Sequence, residues 1–396
     1  MSWIHVEAEA LKPQLLVWRR HLHQNPELSF QERETAEFIA TQLRELGIPH
    51  VQTRIGGKHG VCATIGAPVD APAVVLRADI DALPIQEKSS CSTPSLTPGI
   101  AHLCGHDAHT TMLLGAALLL QKHRELLPQP VRLFFQHAEE QSPGGAVDFI
   151  QAGLMEGAGS VFGLHVDPRM HTGQIGISPG RLMAGASSFD MTISGVGGHA
   201  AFPHLTTDPI VAASDLILAF QHLVSRRLNP LEEAVISVTK FHGGRANNVI
   251  PDEVEIGGTF RSYRPDWHEY LSGFIRETTE SIMALHRCEA SIHFRRGYCP
   301  LWNDEEAARH LASVVESSIP ALEVVPAIPM MGGEDFAFYL REAPGCFAFI
   351  GCTAAGVENA PMLHHPEFLL DEEVLPLGTS VLASVALERF GGEISV

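Results

Sequence analysis

Four short apolar runs, each leading into polar side chains, constrain the fold of this chain more than any other feature. The runs cover residues 73–77, 131–135, 160–164 and 346–350. Continuous apolar character is typical of strands buried on both faces of a parallel sheet. An apolar helix is predicted over about 110–123, between the first two runs. This strand–helix–strand order indicates an α/β fold with a doubly wound, mainly parallel sheet.

Polar residues follow each predicted strand, where a functional site is expected. They are Asp79 and Asp81, then His137, Glu139 and Glu140, then His165, and finally, after a loop, His364 and His365. Open parallel sheets bind ligands at the carboxyl ends of their strands. We therefore predict that these side chains share one edge of the sheet.

The chain of 396 residues is too long for one ordinary core, and its middle part has a different pattern. Residues 188–194 alternate in polarity like a half-buried strand. Further predicted elements are a helix over 208–227, strands over 234–241 and 254–260, and a helix over 267–286. This β-α-β-β-α order predicts an inserted α+β domain at 184–298, within a catalytic domain formed by 1–183 and 299–396. The first domain opens with helices over about 8–46, interrupted at Asn25-Pro26.

Composition excludes several classes of partner. The net charge of −19 argues against nucleic acid and anionic membranes, because both require a basic surface. No stretch reaches the roughly 18 apolar residues of a membrane-spanning helix, and residues 1–14 lack the apolar centre of a signal peptide. Seven irregularly spaced cysteines favour a reducing, cytoplasmic location.

The segment HLCGHDAH at 102–109 carries five metal-capable side chains in eight residues. Cysteine and histidine together suit zinc and neighbouring metals. A buried cysteine beside helix-capping polar residues is the alternative, and this segment alone leaves both open. With Glu139, Glu140, His165 and His364, the set suffices for two metal ions that share a bridging ligand. Of the adjacent glutamates, one is expected to bind metal and the other to act as a general base.

Two other motifs do not support a site. Residues 176–180 match G-x-S-x-G, but a nucleophile elbow requires a helix directly afterwards and strand-like sequence follows. Residues 195–200 match G-x-G-x-x-A, but Pro203 and Pro209 delay the helix that a dinucleotide site requires. We interpret this segment as a flexible turn that presents His199.

Taken in order, the motifs resemble the M20 metallopeptidase family, in its amidohydrolase branch of aminoacylases, hippurate hydrolases and auxin-conjugate hydrolases. The resemblance covers nearly the whole chain. It rests on HLHQNPEL at 21–28, RADIDALP at 77–84, CGHD at 104–107, HAEE at 137–140, GLH at 163–165, GHA at 198–200, NVIPD at 248–252, GGEDF at 332–336 and LHHP at 363–366.

The resemblance implies two divalent metal ions per chain, Mn²⁺ or Zn²⁺, and a thiolate ligand also tolerates Co²⁺ and Ni²⁺. The implied ligands are Cys104, His106, Glu140, His165 and His364. Cys104 would bridge the ions, and the family pattern favours His364 over His365. Asp79 and Asp81 are expected to orient ligands as supporting carboxylates.

The resemblance also implies the reaction, which is hydrolysis of an N-acetyl, N-benzoyl or similar N-acyl amino acid. Glu139 would take a proton from the attacking water and return it to the leaving amine. The insertion would serve as a lid and dimerisation domain of a homodimer. It would bring His199 to the oxyanion and Asn248 and Arg261 to the substrate, with Arg261 binding a carboxylate.

Alternative functions within the same family are those of a dipeptidase, a carboxypeptidase or an N-acetyl-diaminopimelate deacetylase. A ligand-binding protein that retains the fold without the chemistry is the non-enzymatic alternative. The presence of the base and of all five implied ligands argues against it.

Overall fold

The computed structural model describes residues 2–66 and 71–391, which form two compact units. The larger unit extends to Leu182, continues over Trp302–Ile328 and resumes at Asp335, and the smaller comprises Met183–Leu301 and Pro329–Glu334. The segment Pro329–Glu334 differs from the predicted division, which placed it in the catalytic domain. It groups with the smaller unit because the backbone N–H of Ala184 donates to the carbonyls of Met330 and Gly332.

The larger unit is built on one mainly parallel sheet, as predicted. Its strands are, in spatial order, His50–Ile55, Gly60–Ile65, Val131–Gln136, Ala73–Asp79, Ala158–His171, Gly345–Thr353, Gln174–Gly176 and Glu323–Val325. The four predicted strands are its adjacent central members and pair in parallel. They are almost entirely buried, which explains their continuous apolar character.

The two strands at one edge of the sheet, His50–Ile55 and Gly60–Ile65, were not predicted. His50–Ile55 and Gly60–Ile65 form an antiparallel pair, and Gly60–Ile65 also runs antiparallel to Val131–Gln136. His50–Ile55 exposes most of its side chains, so it has no apolar run that could reveal it.

Seven α-helices are described in the larger unit. They are Ser2–Ala10, Lys12–Gln24, Arg33–Glu45, His106–Lys122, Ala146–Gln151, Glu305–Ser318 and Val374–Leu387. The helix His106–Lys122 begins four residues earlier than predicted, so that His106 and His109 lie on its first turn. It packs against Val374–Leu387, where a Cβ at Gly378 would lie 1.8 Å from Met112 Sδ. A larger residue at position 378 would therefore displace the Met112 side chain.

The smaller unit has a four-stranded antiparallel sheet. Its strands are, in spatial order, Ala234–Gly243, Glu253–Ser262, Gly185–Ser194 and Glu289–Arg296. The helices Pro209–His222 and Trp267–His286 pack against it. The prediction missed the fourth strand, which is largely exposed and ends in two arginines. The predicted helix over 208–227 ends at His222 and continues as a wider, π-helical turn.

No helix directly follows either rejected motif, as expected, but residues 195–200 include a paired strand rather than forming a flexible turn. Residues 176–180 connect the strands Gln174–Gly176 and Gly180–Met183, and no helix follows. Gly198–His199 pairs with Val249–Ile250 in a two-stranded ribbon. Within residues 2–66 and 71–391, none of the helices combines the length and the apolar character needed to cross a lipid bilayer.

Candidate metal centre

The carboxyl ends of the central strands bring six predicted side chains of the larger unit together. They are Cys104, His106, Glu139, Glu140, His165 and His364. The ligand-capable atoms of Cys104, His106 and His165 lie within 4.8 Å of one another, and so do those of Cys104, Glu140 and His364. The thiol therefore belongs to both sets.

Two histidines face the thiol directly. Cys104 Sγ lies 3.5 Å from His165 Nε2 and 3.3 Å from His364 Nε2. His165 Nδ1 donates to the carbonyl of Val166 across 2.8 Å, so its Nε2 presents a lone pair to the sulfur. His364 Nε2 also lies 3.1 Å from Glu140 Oε1. The geometry thus directs nitrogen, sulfur and oxygen atoms to one small region.

His106 is oriented by Asp81, which contacts its Nδ1 as the Val166 carbonyl contacts Nδ1 of His165. Its Nδ1 lies 3.0 Å from the carbonyl oxygen and 3.1 Å from Oδ1 of Asp81. Its buried Nε2 has no hydrogen-bond partner among the described residues and lies 3.8 Å from Glu140 Oε1. Burial lowers the pKa of His106, but Asp79 and Asp81 outweigh it and raise the pKa to about 10. The negative electrostatic potential of these carboxylates therefore favours a cation beside His106.

The surroundings of Cys104 also favour a nearby cation. Burial and the carboxylates of Glu140 and Glu139 raise the pKa of the Cys104 thiol well above its usual value. A nearby cation is the arrangement that would hold it as thiolate. The thiol reaches its position because Gly105 adopts φ +87°, and a Cβ there would meet Val166 Cγ2 at 2.4 Å.

Asp79 is fully buried, and both of its oxygens are occupied. Arg77 Nη1 donates to Oδ2 across 2.7 Å, and His109 Nδ1 donates to Oδ1 across 2.6 Å. Burial would raise the pKa of Asp79, but the surrounding imidazoles and Arg77 hold it well below its usual range. Arg77 also donates to Asp335 Oδ1 across 2.8 Å. Asp79 is thus an ionised, fixed carboxylate beside His106.

Asp81 has a similar supporting position. Its Oδ2 accepts hydrogen bonds from the Ser29 hydroxyl across 2.7 Å and from the backbone N–H of Glu140 across 3.0 Å. Burial raises its pKa, but these contacts and the imidazole of His106 outweigh it and lower the pKa. Asp81 therefore connects the position of His106 to that of Glu140.

Ala138, which precedes Glu139 and Glu140, has a left-handed backbone conformation. Ala138 has φ +53°, and its N–H donates to the buried Glu32 carboxyl across 2.7 Å. Glu139 is 6% exposed, and its carboxylate belongs to a third close set with His106 and Glu140. The turn lets both neighbouring carboxylates approach the same centre.

Sequence reasoning did not assign roles to four residues of this network, which are Glu32, Arg77, His109 and Asp335. The position of His109 near the site could have been predicted from the sequence, because it lies three residues after His106 on the same face of the helix. Glu32 had no such signal, and Asp335 stands in the motif at 332–336 without an indication of its role, since the partners of both residues are far away in the sequence.

His364 rather than His365 faces the thiol. His364 adopts φ +65°, and its N–H donates to the carbonyl of Leu103 across 2.8 Å. His365 is exposed, and its Nδ1 accepts the N–H of Glu367.

The remaining predicted residues lie in the smaller unit. The exposed His199 accepts the N–H of Ala201 at Nδ1 across 3.1 Å, so its Nε2 carries the proton and can donate. Asn248 lies beside it, because its carbonyl accepts the N–H of Ala200. Arg261 is on the strand Glu253–Ser262, where Nη1 donates to Thr259 Oγ1 across 3.2 Å.

A mainly parallel α/β sheet with a cysteine–histidine–carboxylate cluster at its strand ends defines a metallohydrolase. The sequence matches the model of peptidase family M20/M25/M40 over residues 75–388, and the chain belongs to this family. It is therefore a metal-binding hydrolase that acts on amide bonds.

Two similar proteins of known sequence span nearly the same length. The chain is 43% identical to IAA-amino acid hydrolase ILR1-like 5 of Arabidopsis thaliana over 374 residues, which is 93% of this chain and 85% of that protein. It is 42% identical to N-acetyl-L-cysteine deacetylase of Bacillus subtilis over 370 residues, covering 93% and 86%.

A solved structure is also similar. The Bacillus subtilis YXEP protein, described as a dinuclear metal-binding peptidase of the M20 family, superposes with a TM-score of 0.82 at 35% identity. The comparison covers 96% of this chain and 98% of that one. The residues present here fit divalent metal, since His106 Nε2 is buried without a partner and the donor set combines thiol, imidazole and carboxylate.

Proposed function

We propose that this chain is a two-metal amidohydrolase that cleaves N-acyl amino acids to a carboxylate and a free amino acid. The observation that carries the proposal is the shared thiol of Cys104, which belongs to one set with His106 and His165 and to another with Glu140 and His364. The two similar proteins support the substrate class, because one is named as an IAA-amino acid hydrolase and the other as an N-acetyl-L-cysteine deacetylase.

The proposed metal ligands form two sets that share Cys104. Cys104 would contribute its sulfur to both ions, and His106, Glu140, His165 and His364 would complete the two sets of ligands. Mn²⁺ or Zn²⁺ is proposed, with Co²⁺ or Ni²⁺ as substitutes, because thiolate and imidazole accept all four. Bound metal would polarise the amide carbonyl and acidify the attacking water. Asp79 and Asp81 fix the ligand orientations through the hydrogen bonds described above.

Glu139 is the proposed general base. Its carboxylate is nearly excluded from solvent and lies in a close set with His106 and Glu140. It would accept the proton of the attacking water and deliver it to the leaving amine, which is the usual role of a positioned carboxylate.

The smaller unit is proposed to be a lid and dimerisation domain of a homodimer. His199 carries its proton on Nε2 and can donate to the developing oxyanion. The buried Nε of Arg261 has no hydrogen-bond partner among the described residues, which leaves a guanidinium donor for a substrate carboxylate. Asn248 neighbours His199 and is proposed to contact the substrate as well.

A cytoplasmic location fits this centre. All seven cysteines lie within the described residues and are free thiols, which is typical of proteins in reducing compartments.

One assay panel tests the proposal. Purified protein is freed of metal, then supplied with Mn²⁺ or Zn²⁺, and release of free amino acid is measured from N-acetyl amino acids and hippurate. Dipeptides, C-terminally extended peptides and N-acetyl-diaminopimelate are tested in parallel, because they represent the family's other activities. We expect metal-dependent release from the simple N-acyl amino acids. Undiminished turnover by metal-free protein would refute the two-metal mechanism, and binding without turnover would identify a ligand-binding protein.

A further inference from the structure

A second cluster of reactive side chains lies in the larger unit, and the hydrolytic mechanism does not use its thiol. The ligand-capable atoms of His23, Glu87 and Cys91 lie within 4.8 Å of one another. His23 and Glu87 are buried, whereas Cys91 is partly exposed. Cys91 lines a cavity of about 770 Å³ whose wall also includes Arg19, Thr353 and Leu369. A small molecule can therefore reach this sulfur.

His23 is held between two carboxylates. Its Nδ1 lies 2.8 Å from Asp107 Oδ2, and its Nε2 lies 3.2 Å from Glu87 Oε1. Arg19 donates to the same Asp107 oxygen across 2.9 Å. Arg19 Nη2 also lies 3.4 Å from Nδ1, but each ring nitrogen faces a carboxylate oxygen, so the ring carries two protons. Burial lowers the pKa of His23, but Asp107 and Glu87 outweigh it and raise the pKa to about 11.

The imidazolium of His23 lies within 4.8 Å of the Cys91 sulfur. Burial raises the pKa of the Cys91 thiol, but the neighbouring His23 imidazolium, the backbone hydrogen bond from Thr93 and the charge of Arg19 outweigh it and lower the pKa to about 7. Burial raises the pKa of Cys62 to about 12, and that of Cys346 and Cys352 rises as well. Cys91 thus differs from these buried thiols in exposure, charge and partner.

We propose that Cys91, His23 and Asp107 form an activated thiol site that exchanges with small disulfides entering the cavity. The structure places a partly exposed thiol within 4.8 Å of an imidazole that Asp107 orients, and a charged neighbour of this kind can activate a nucleophile. The Cys91 sulfur forms a bond to one sulfur of R–S–S–R, whose S–S bond breaks. The products are the mixed disulfide Cys91–S–S–R and R–S⁻, and His23 stays protonated.

The reaction rate can be anticipated from general thiol chemistry. At pH 6.5 a thiol with a pKa of about 7 is roughly one quarter thiolate, whereas an ordinary thiol with a pKa of about 8.5 is roughly 1% thiolate. The lower basicity of the Cys91 thiolate reduces its nucleophilicity about fivefold. The net expectation is a rate about fivefold above that of an ordinary cysteine at this pH.

The experiment uses metal-loaded protein and 2-hydroxyethyl disulfide as the probe, with modified positions identified by peptide mass spectrometry. The reference is a synthetic peptide of residues 86–96, which contains Cys91 without the fold. We expect Cys91 to be modified first, about fivefold faster than the peptide at pH 6.5, with a half-maximal rate near pH 7. Cys91→Ser should abolish this reaction and retain hydrolase activity, whereas Cys288→Ser should react like the parent protein.

His23→Gln tests the partner, because removing the imidazolium should move the half-maximal rate towards pH 8.5. If that variant does not fold, the parent's own pH profile decides. A half-maximal rate at pH 8.5 or above in the folded parent, or modification spread evenly over several cysteines, would overturn the proposal. The proposal also fails if Zn²⁺ blocks the reaction and Cys91→Ser binds one ion fewer than the parent, because the cluster would then be a metal site.

Discussion

His109 donates its Nδ1 proton to Asp79 across 2.6 Å and accepts the backbone N–H of Val166 at Nε2 across 2.9 Å. Both ring nitrogens are therefore occupied, and the imidazole is neutral. Burial lowers the pKa of His109 to about 4, although Asp79 opposes the shift. His109 lies in a close set with Asp79 and His106, yet it has no free lone pair for a metal ion. Its function is to hold Asp79 in place.

His109→Phe should consequently preserve the number of bound ions at saturating metal and weaken their affinity. Loss of such a supporting partner typically costs about 10–100-fold in metal affinity. Metal titration followed by elemental analysis measures both quantities, and His50→Phe on the exposed edge strand is the matched control. If His109→Phe binds one ion fewer at saturating metal, His109 is itself a ligand.

Glu139→Gln should retain the metal ions and lose most turnover. The amide can still form hydrogen bonds but cannot accept a proton, and loss of a general base typically lowers the rate by about 10²–10⁴-fold. Steady-state kinetics and metal analysis on the same sample test this expectation. Glu316→Gln, at an exposed position of the helix Glu305–Ser318, should leave the rate unchanged. Full activity of Glu139→Gln would remove this residue from the mechanism.

Cys104→Ala, in contrast to Glu139→Gln, should lose bound metal. The sulfur belongs to both proposed ligand sets, so its removal affects both ions. Elemental analysis after equilibration at limiting metal is the measurement. The control is Cys346→Ala, which removes a buried thiol outside these sets. Full metal content in Cys104→Ala would contradict the bridging role.

Glu87 should make the stability of the protein sensitive to acid. Burial raises its pKa, but hydrogen bonds from His23, Ser89 and Ser95 outweigh it and lower the pKa to about 2. Because the folded pKa lies below the unfolded value, this stabilisation is present above about pH 4.5 and is lost as the pH falls towards 2. The difference corresponds to at most roughly 3–4 kcal/mol.

Urea unfolding of metal-free protein between pH 6 and pH 2 measures the effect of Glu87, since protons also displace metal ions. Glu87→Gln should be less stable at pH 6 and should lose less stability on acidification than the parent. Glu316→Gln should follow the parent. Parallel loss of stability in Glu87→Gln and in the parent would show that Glu87 does not cause the pH dependence.

The sequence predicts the centre of the fold well because the informative signals are local. The four central strands are continuous apolar runs, and three histidines lie within the eight residues at 102–109. The supporting contacts are different, since Arg77 meets Asp335 only because the sheet and a distant segment come together. The strand Glu289–Arg296 was missed because its exposed side chains weaken the apolar signal. Tertiary packing, rather than local pattern, determines these features.

His199→Ala should lower kcat without changing the fold, the dimer or the metal content. The imidazole carries its proton on Nε2, and loss of one oxyanion donor typically costs about 10²–10³-fold in rate. Steady-state kinetics, sedimentation and metal analysis check the three parts of this expectation. His204→Ala, which alters a second histidine of the same loop region, is the control. Loss of metal in His199→Ala would indicate a different role.

The proposed homodimer has its own test, because His199 is expected to act on the partner subunit's centre. His199→Ala and Glu139→Gln are each inactive in this scheme. A mixed dimer, however, contains one centre with an intact Glu139 and an intact His199 from the other subunit. Mixing the two variants should therefore restore part of the activity after subunit exchange, which differential tagging can verify. If exchange is complete and activity stays at background, His199 acts within its own chain or takes no part in catalysis.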